Sequence, residues 1–373
     1  MRPDGIIETL ARAGHEAYYV GGCVRDTLLG RGIHDWDVAT SARPEQVLAL
    51  FDHCVPTGIR HGTVTVFDGD ASAEVTTYRC DGAYHDGRHP DAVRFVRTLR
   101  EDLARRDFTI NAMAMDLNGH ITDLFGGRDD LVRGVIRCVG DADTRFHEDA
   151  LRMLRAYRFS AQLGFRLEAE TAAAAARCAH LAAALSRERV RDEAGKTLLS
   201  PQPEVFGVLM RLGLLSACGL TGEGDFSRLC AFPATPEARW MGVKLACPAF
   251  DPAAFRLPAK LCRLVALTAE TWRENRTALE WKRLIALHGL QTARLQAAMQ
   301  RSDAVAAIER SGDCVTPRDL AVTGADFPQL RGKDVGKTLQ ALLFYVLEHP
   351  EANTREALLA RAAAMHAECE NNS

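Results

Sequence analysis

No stretch of the 373-residue chain stays apolar over the roughly 20 residues that a membrane-spanning helix needs, so no membrane partner is expected. The opening segment MRPDGIIETLARAGHE is too polar for a signal peptide. The 11 cysteines are scattered from Cys23 to Cys369, with no Cys-x-x-Cys and no Cys/His cluster at zinc spacing. Without a secretory signal they read as reduced thiols in a cytoplasm. Charge of one sign is lacking too: 46 Lys and Arg against 49 Asp and Glu leave −3. That balance does not advertise a nucleic-acid binder, although whole-chain charge says little about local patches. There is no repeat of fixed period and no low-complexity segment beyond the alanine tracts.

Apolar residues make up 47% and charged residues 25%, the composition of a globular protein. The chain is too long for one ordinary core, so two or more domains are expected. Residues 3–14 have the spacing of an amphipathic helix leading into a strand at Tyr18–Val20. Arg43-Pro44-Glu45 opens a helix with proline in its first turn, running to about Phe51. TVTVF (Thr63–Phe67) and EVTT (Glu74–Thr77), separated by Asp68-Gly69-Asp70, carry a hairpin signal. Strands mixed with short helices to about residue 137 argue for an α/β or α+β first domain. From about residue 138 strand signals fade, and alanine- and leucine-rich helical periodicity runs to the end. Breaks near Pro201-Pro203, Pro233-Pro236 and Pro248-Pro258 separate the helices, and Trp240, Trp272 and Trp281 read as packing residues.

The chemistry concentrates in Tyr18–Thr40. The strand ends at Gly21-Gly22, a helix is favoured over Val24–Leu29, and Gly30 stands where a helix C-cap would. A strand, two glycines and a helix start form a recurring phosphate cradle, in which Arg25 would strengthen anion binding. A plain turn has the same signature. His34–Thr40 then reads as a second strand with Asp35 and Asp37 at i and i+2, on one face. Behind a turn that could hold a triphosphate, such a pair suits a two-metal phosphoryl-transfer centre with Mg²⁺, a hard cation for oxygen ligands. The alternative is a strand edge blunted by charge.

Three later stretches bear on this. RCDGAYHDGRHP (Arg79–Pro90) reads as a surface loop, and as a lid if it hangs beside a nucleotide site. Its His85 and His89 lack a third ligand and are not expected to hold a metal. In EDLARRDFTINAMAMD, Arg105-Arg106 is either a solvated pair or a phosphate clamp. A long helix is expected from near His147 through HEDALRMLRAYRFSAQLGF, with Leu151, Leu154 and Phe159 on a packing side. Asp149 and Arg152, one i+3 step apart, can point together at one ligand, whereas Arg158 lies about half a turn round from Asp149 and suits another contact. Such a row is either an amphipathic helix with acid–base pairs or a protein template for base reading. In the second case an Arg donates to O2 and N3 of cytosine, and a carboxylate accepts from the amino group of cytosine or adenine.

GGCVRD (Gly21–Asp26), DWD (Asp35–Asp37), HGTVTV (His61–Val66), RRDFTINAMA (Arg105–Ala114), EDALRMLRAYRF (Glu148–Phe159) and ERVRDE (Glu188–Glu193) occur in one order. Together they resemble the motif set of class II tRNA nucleotidyltransferases, the CCA-adding enzyme family that includes the bacterial poly(A) polymerases. The resemblance is strong over residues 15–200 and fainter beyond, at LAVTGADF and NTREALL. It implies an α+β multidomain chain: a polymerase-β-like nucleotidyltransferase head with a mixed sheet, followed by all-α neck, body and tail. The expected bounds are 1–137 for the head, 138–200 for the neck, 201–312 for the body and 313–373 for the tail. It further implies template-independent addition of CMP, CMP and AMP to the 3′ end of tRNA from CTP and ATP. Asp35 and Asp37 would be catalytic and bind Mg²⁺. Gly22 and Arg25 would contact the nucleotide, Arg106 its phosphates, and Asp149 and Arg152 its base. Arg155 and Arg158 match further nucleotide-contacting positions, and Glu74 is a candidate third carboxylate. The rivals are an A-adding-only enzyme, a poly(A) polymerase and a catalytically silent tRNA-binding protein. DGAYHDGRHPD resembles the flexible loop that CC-adding relatives lack, which argues against CC addition alone.

Overall fold

A glycine-rich turn between the first strand and the second helix sets the geometry of everything around it, and the sheet that carries this turn is built from dispersed short strands. The computed structural model describes residues 2–33, 35–81 and 93–371. Chain contacts divide it into two units, Met1–Gly224 and Asp225–Ser373.

The first unit begins with α1 (Asp4–Arg12), which buries Ile6, Ile7 and Leu10 on one face, as its spacing predicts. There follow β1 (Ala17–Val20), α2 (Gly22–Leu28), β2 (Trp36–Thr40), α3 (Pro44–Leu50) and β3 (Cys54–Gly58). The hairpin β4 (Thr63–Asp68) and β5 (Ala71–Thr77) forms where the Asp-Gly-Asp signal predicts it. β6 (Arg79–Asp81) pairs with β7 (Val93–Phe95); the remainder of the expected loop between them, with His85 and His89, lies outside the described residues. Next come α4 (Leu99–Ala104), β8 (Met113–Met115), β9 (Ile121–Asp123), α5 (Gly127–Arg133) and β10 (Val135–Ile136).

Seven strands form one mixed sheet in the order β3-β4-β5-β2-β1-β8-β9. Only β2 and β5 run parallel, in a register that sets Asp37 beside Glu74. Val38, Val64, Val66 and Val75 are fully buried on the covered side, while Glu74 is on the open side. The strand expected from His34 starts at Trp36, so Asp35 precedes it instead of sharing a pleat with Asp37.

The helical part of this unit departs from expectation at two places. The single helix expected from His147 is two: α6 (Ala142–Glu148) and α7 (Leu151–Leu163). Asp149 lies between them in extended backbone, φ −147° and ψ 105°, and its Oδ1 accepts from the Leu151 N–H at 3.0 Å. A short polar side chain that bonds backbone two residues on competes with the helix, and here it interrupts it. Leu151, Leu154 and Phe159 are buried, as the pattern on α7 predicts. β11 (Arg166–Leu167) pairs in parallel with β10, a strand contact that fading strand signals do not reveal. α8 (Ala169–Arg177), α9 (Arg187–Leu198) and α10 (Val205–Arg211) complete the unit.

The second unit has seven α-helices among its described residues: α11 (Pro236–Ala246), α12 (Ala259–Glu270), α13 (Ala278–His288), α14 (Leu290–Met299), α15 (Ala304–Ser311), α16 (Lys333–Glu348) and α17 (Arg355–Asn371). Trp240 stacks on Phe250 at 5.5 Å and Trp281 is buried in a cluster with Leu284, Ile285 and Val305, so both are packing residues; Trp272 is half-buried. No helix among the described residues is long and apolar enough to cross a membrane.

Candidate active site

The glycine turn predicted between strand and helix is present, with Gly21 at φ +75° in the left-handed region that favours glycine. It is also a close-approach point. A methyl group on Gly21 would sit 3.0 Å from Arg106 Nη1 and 3.4 Å from Asp37 Oδ2. The bare backbone therefore lets a guanidinium and a carboxylate converge on the turn. α2 is short, so the anion-binding character of this corner comes mainly from Arg25 and Arg106.

These residues open onto a cleft of about 840 Å³. Asp35, Asp37, Gly22, Arg25, Arg106, Asp149, Arg152, Arg155 and Arg158, every residue picked out from the sequence, line it together. Among the described residues the lining carries nine cationic side chains against five carboxylates, so a chain with a balance of −3 concentrates positive charge here. The volume falls within the range that takes a nucleotide-sized ligand.

The arginines are held by buried acids, Asp102 at helical spacing from its two arginines and Asp107 and Glu193 from far along the chain. Asp102, on α4 and almost fully buried, receives Arg105 Nη2 at 2.9 Å and Arg106 Nη2 at 3.1 Å. Burial opposes its charge, but Arg106 and Arg105 outweigh burial and hold its carboxyl below the usual range. A second web spans α2, α7 and α9. Arg25 Nη1 donates to Asn111 Oδ1 at 2.8 Å, and Asn111 Nδ2 donates to Asp107 Oδ1 at 3.2 Å. Arg155 Nη2 reaches Asp107 Oδ2 at 2.6 Å, and Arg158 pairs with Glu193 on α9. The contact that suits Arg158 apart from Asp149 is this ion pair, although Arg158 lines the same cleft. The Phe159 ring packs among Arg25, Arg155 and Arg158, whose guanidinium carbons lie 5.2, 5.4 and 3.9 Å from its centroid.

Asp149 and Arg152 are also fixed. Asp149 Oδ2 accepts from Arg189 Nη2 at 2.8 Å, and Arg152 Nη2 donates to the Arg105 carbonyl at 3.2 Å. Because Asp149 precedes α7, the helical rotation drawn from the sequence does not describe the pair. The pair meets in the cleft through the break instead.

Burial pushes the Asp37 carboxyl up to about 6; Arg106 opposes the shift, and Glu74 and Asp35 add to it. A carboxyl raised by burial and by neighbouring acids gains from a bound cation, and carboxylate oxygens are hard donors suited to a divalent ion. Among the described residues no group of three or more His, Cys, Asp or Glu side chains gathers closely enough to hold a metal. Glu74 lines the cleft in register with Asp37 but does not complete a three-ligand set. A pair of acids, a cluster of guanidinium groups and an Asp–Arg pair together offer metal ligands, phosphate ligands and base ligands in one cavity. Asp102, Asp107, Asn111, Arg189 and Glu193 were not singled out in the sequence. All but Asp102 lie inside the RRDFTINAMA and ERVRDE motifs.

Comparisons with known proteins agree with this geometry. The model of the poly A polymerase head domain matches residues 17–137, and that of the probable RNA and SrmB-binding site of polymerase A matches residues 164–218. A CCA-adding enzyme of Lactiplantibacillus plantarum is 55% identical over 53% of this chain. That match spans about half of the relative's own length, 49%. The crystal structure of the Bacillus stearothermophilus CCA-adding enzyme in complex with CTP superposes with a TM-score of 0.85 at 34% identity, covering 100% of both chains. A CCA-adding enzyme of Geobacillus kaustophilus is 39% identical across 95% of each chain, and likeness sustained over that length, beyond the head alone, means that this chain belongs to the CCA-adding enzyme family.

Proposed function

We propose that the protein adds CMP, CMP and AMP in turn to the 3′ end of tRNA, taking them from CTP and ATP without a nucleic-acid template. One observation carries the reading: acid pair, phosphate-binding arginines and a base-reading Asp–Arg pair line a single cleft of about 840 Å³. The family implies a divalent metal, and we assign Mg²⁺ to Asp35 and Asp37, whose carboxylates would hold the ions of a two-metal centre. Bound there, the ions would activate the attacking hydroxyl and neutralise the departing pyrophosphate.

The chain's own residues do the rest. Arg25 and Arg106 bind the triphosphate beside Gly21-Gly22. Asp149 accepts from the amino group of cytosine or adenine, and Arg152 donates to the ring acceptors. Arg155 and Arg158 add charge around the nucleotide; Glu193 ties Arg158 on α7 to α9, and Asp107 ties Arg155 to the segment after α4. The primer 3′-oxygen forms a bond to the α-phosphorus as the bond to the bridging oxygen breaks, and pyrophosphate leaves. In this reading residues 1–137 are the transferase head and 138–200 the neck, while 201–312 and 313–373 are the body and tail that hold tRNA. The compartment is cytoplasmic, consistent with the free thiols of the described cysteines.

Asp35→Ala and Asp37→Ala variants test the assignment. Each is expected to keep the melting temperature within a few degrees and to lose about 100-fold or more of CMP incorporation into a tRNA transcript lacking CCA. Folded variants that transfer at the wild-type rate would refute it. The match to a poly A polymerase head domain favours one second reading, a poly(A) polymerase, which would extend the same transcript with a ladder of A.

A further inference from the structure

Arg189 stands one helix away from the base-reading pair and takes no part in the chemistry described above. It lies in the first turn of α9, lines the cleft, and donates from Nη2 to Asp149 Oδ2 at 2.8 Å. Asp149 has no helix to orient it, because its backbone is extended between α6 and α7. Its side chain is held at two points, by the Leu151 N–H on one oxygen and by Arg189 on the other. The Leu151 contact comes from two residues along the same turn. Arg189, 40 residues away in sequence, is thus the partner that ties the carboxylate to the rest of the fold.

The two partners leave the carboxylate with acceptor capacity to spare, since its two oxygens offer about four lone-pair sites. The Arg189 guanidinium, 2.8 Å away, fixes the direction in which the carboxylate faces. Cytosine and adenine present an amino donor where uracil and guanine present a carbonyl acceptor. A fixed carboxylate accepts from the first two and repels the second two. One that swings freely can turn away from a carbonyl. A further detail makes Arg189 more than a surface partner: its Nη1 is buried with no hydrogen-bond partner. An orphaned donor on a guanidinium is costly to keep, and such groups recur where function needs them.

We propose that Arg189 is a positioning residue for nucleotide choice: it holds the Asp149 carboxylate rigid, so that bases with an amino group are taken and bases with a carbonyl there are refused. The proposal rests on the base-reading role given to Asp149 above. It predicts that Arg189 acts on the ratio between nucleotides more than on the transfer step.

The test is single-nucleotide incorporation from CTP and from UTP, measured as kcat/KM on a tRNA transcript lacking CCA. Wild-type protein, Arg189→Met, Arg189→Lys, Asp149→Asn and the double variant Asp149→Asn with Arg189→Met are compared. Arg189→Met is expected to lower the CTP-over-UTP ratio at least fivefold, the smaller end of what one base contact discriminates, while kcat/KM for CTP falls less than the ratio does. Arg189→Lys should restore part of the ratio. With Asp149→Asn already in place, Arg189→Met should change the ratio by less than twofold, because the group it positions is gone. An unchanged ratio in Arg189→Met, or an equal loss for both nucleotides, would overturn the proposal. If Arg189→Met does not fold, the Arg189→Lys ratio decides: equal to wild type at reduced CTP turnover refutes, reduced supports. Wild-type protein that incorporates neither nucleotide would instead overturn the transferase reading itself, so the two failures are distinguishable.

Discussion

Asp107 stands behind the arginines of the cleft and decides where two of them point. Burial would raise its carboxyl, but Arg155, Asn111 and the Phe108 N–H hold it down to about 2. An unfolded aspartate titrates near 4. Above that value the carboxylate is ionised in both states and its contribution to stability is complete. Below it the unfolded chain takes up a proton that the folded chain refuses until about pH 2, so stability falls as pH drops through this window. The loss is about 2.5 kcal/mol across the window, because a tenfold difference in proton affinity between the two states is worth about 1.4 kcal/mol. Asp107→Asn is expected to flatten the acid limb of a denaturant-melt series run between pH 5 and pH 3. The same limb in variant and wild type would show that Asp107 is not the group responsible. Residues of this kind were not legible in the sequence, for a simple reason. Asp107 meets Arg155 across 48 residues, Arg189 meets Asp149 across 40, and Arg158 meets Glu193 across 35. Periodicity reports neighbours three or four apart and is silent on pairs made by folding.

At the scale of elements, the turn from β1 to α2 is where local rules and site coincide. Tyr18–Val20, Gly21-Gly22 and the following helix could be read from β-branching, glycine and helix propensity alone. The strand at Trp36–Thr40 and the β4–β5 hairpin were legible for the same reason. The break at Asp149 was not, because Ala150 to Leu163 continues in perfect helical composition and only the side-chain bond to Leu151 N–H interrupts it. The turn makes its own prediction. Gly21→Ala puts a methyl 3.0 Å from Arg106 Nη1 at a φ of +75°, so both strain and crowding act. It is expected to cost roughly 1–2 kcal/mol of stability and, by displacing Arg106, to raise the KM for CTP several-fold. Thermal melts and initial rates measure the two effects. A variant with wild-type KM would show that Arg106 does not bind the triphosphate from its present position.

For the whole molecule, charge gives the least guidance from sequence and the most from structure. A balance of −3 advertises no nucleic-acid partner, yet nine cationic side chains gather around one cleft among the described residues of the first unit. The mixed sheet, the helical remainder and the membership of the CCA-adding enzyme family agree with what motif order implied, because motifs such as DWD and RRD record a site that composition averages away. The second unit, Asp225–Ser373, carries fewer chemical signals in its sequence, and its helices are explained by packing of residues such as Trp240 and Trp281. What the site then does is decided by product length. Purified protein with Mg²⁺ is incubated with labelled CTP, ATP or both and tRNA transcripts ending before the first C, after the second C and after the final A. Products are read at single-nucleotide resolution. CCA addition predicts C, C, one A and a stop on the first transcript, a single A on the second and no extension of the third. A long A ladder, A on the second transcript only, or no extension of any transcript would contradict it.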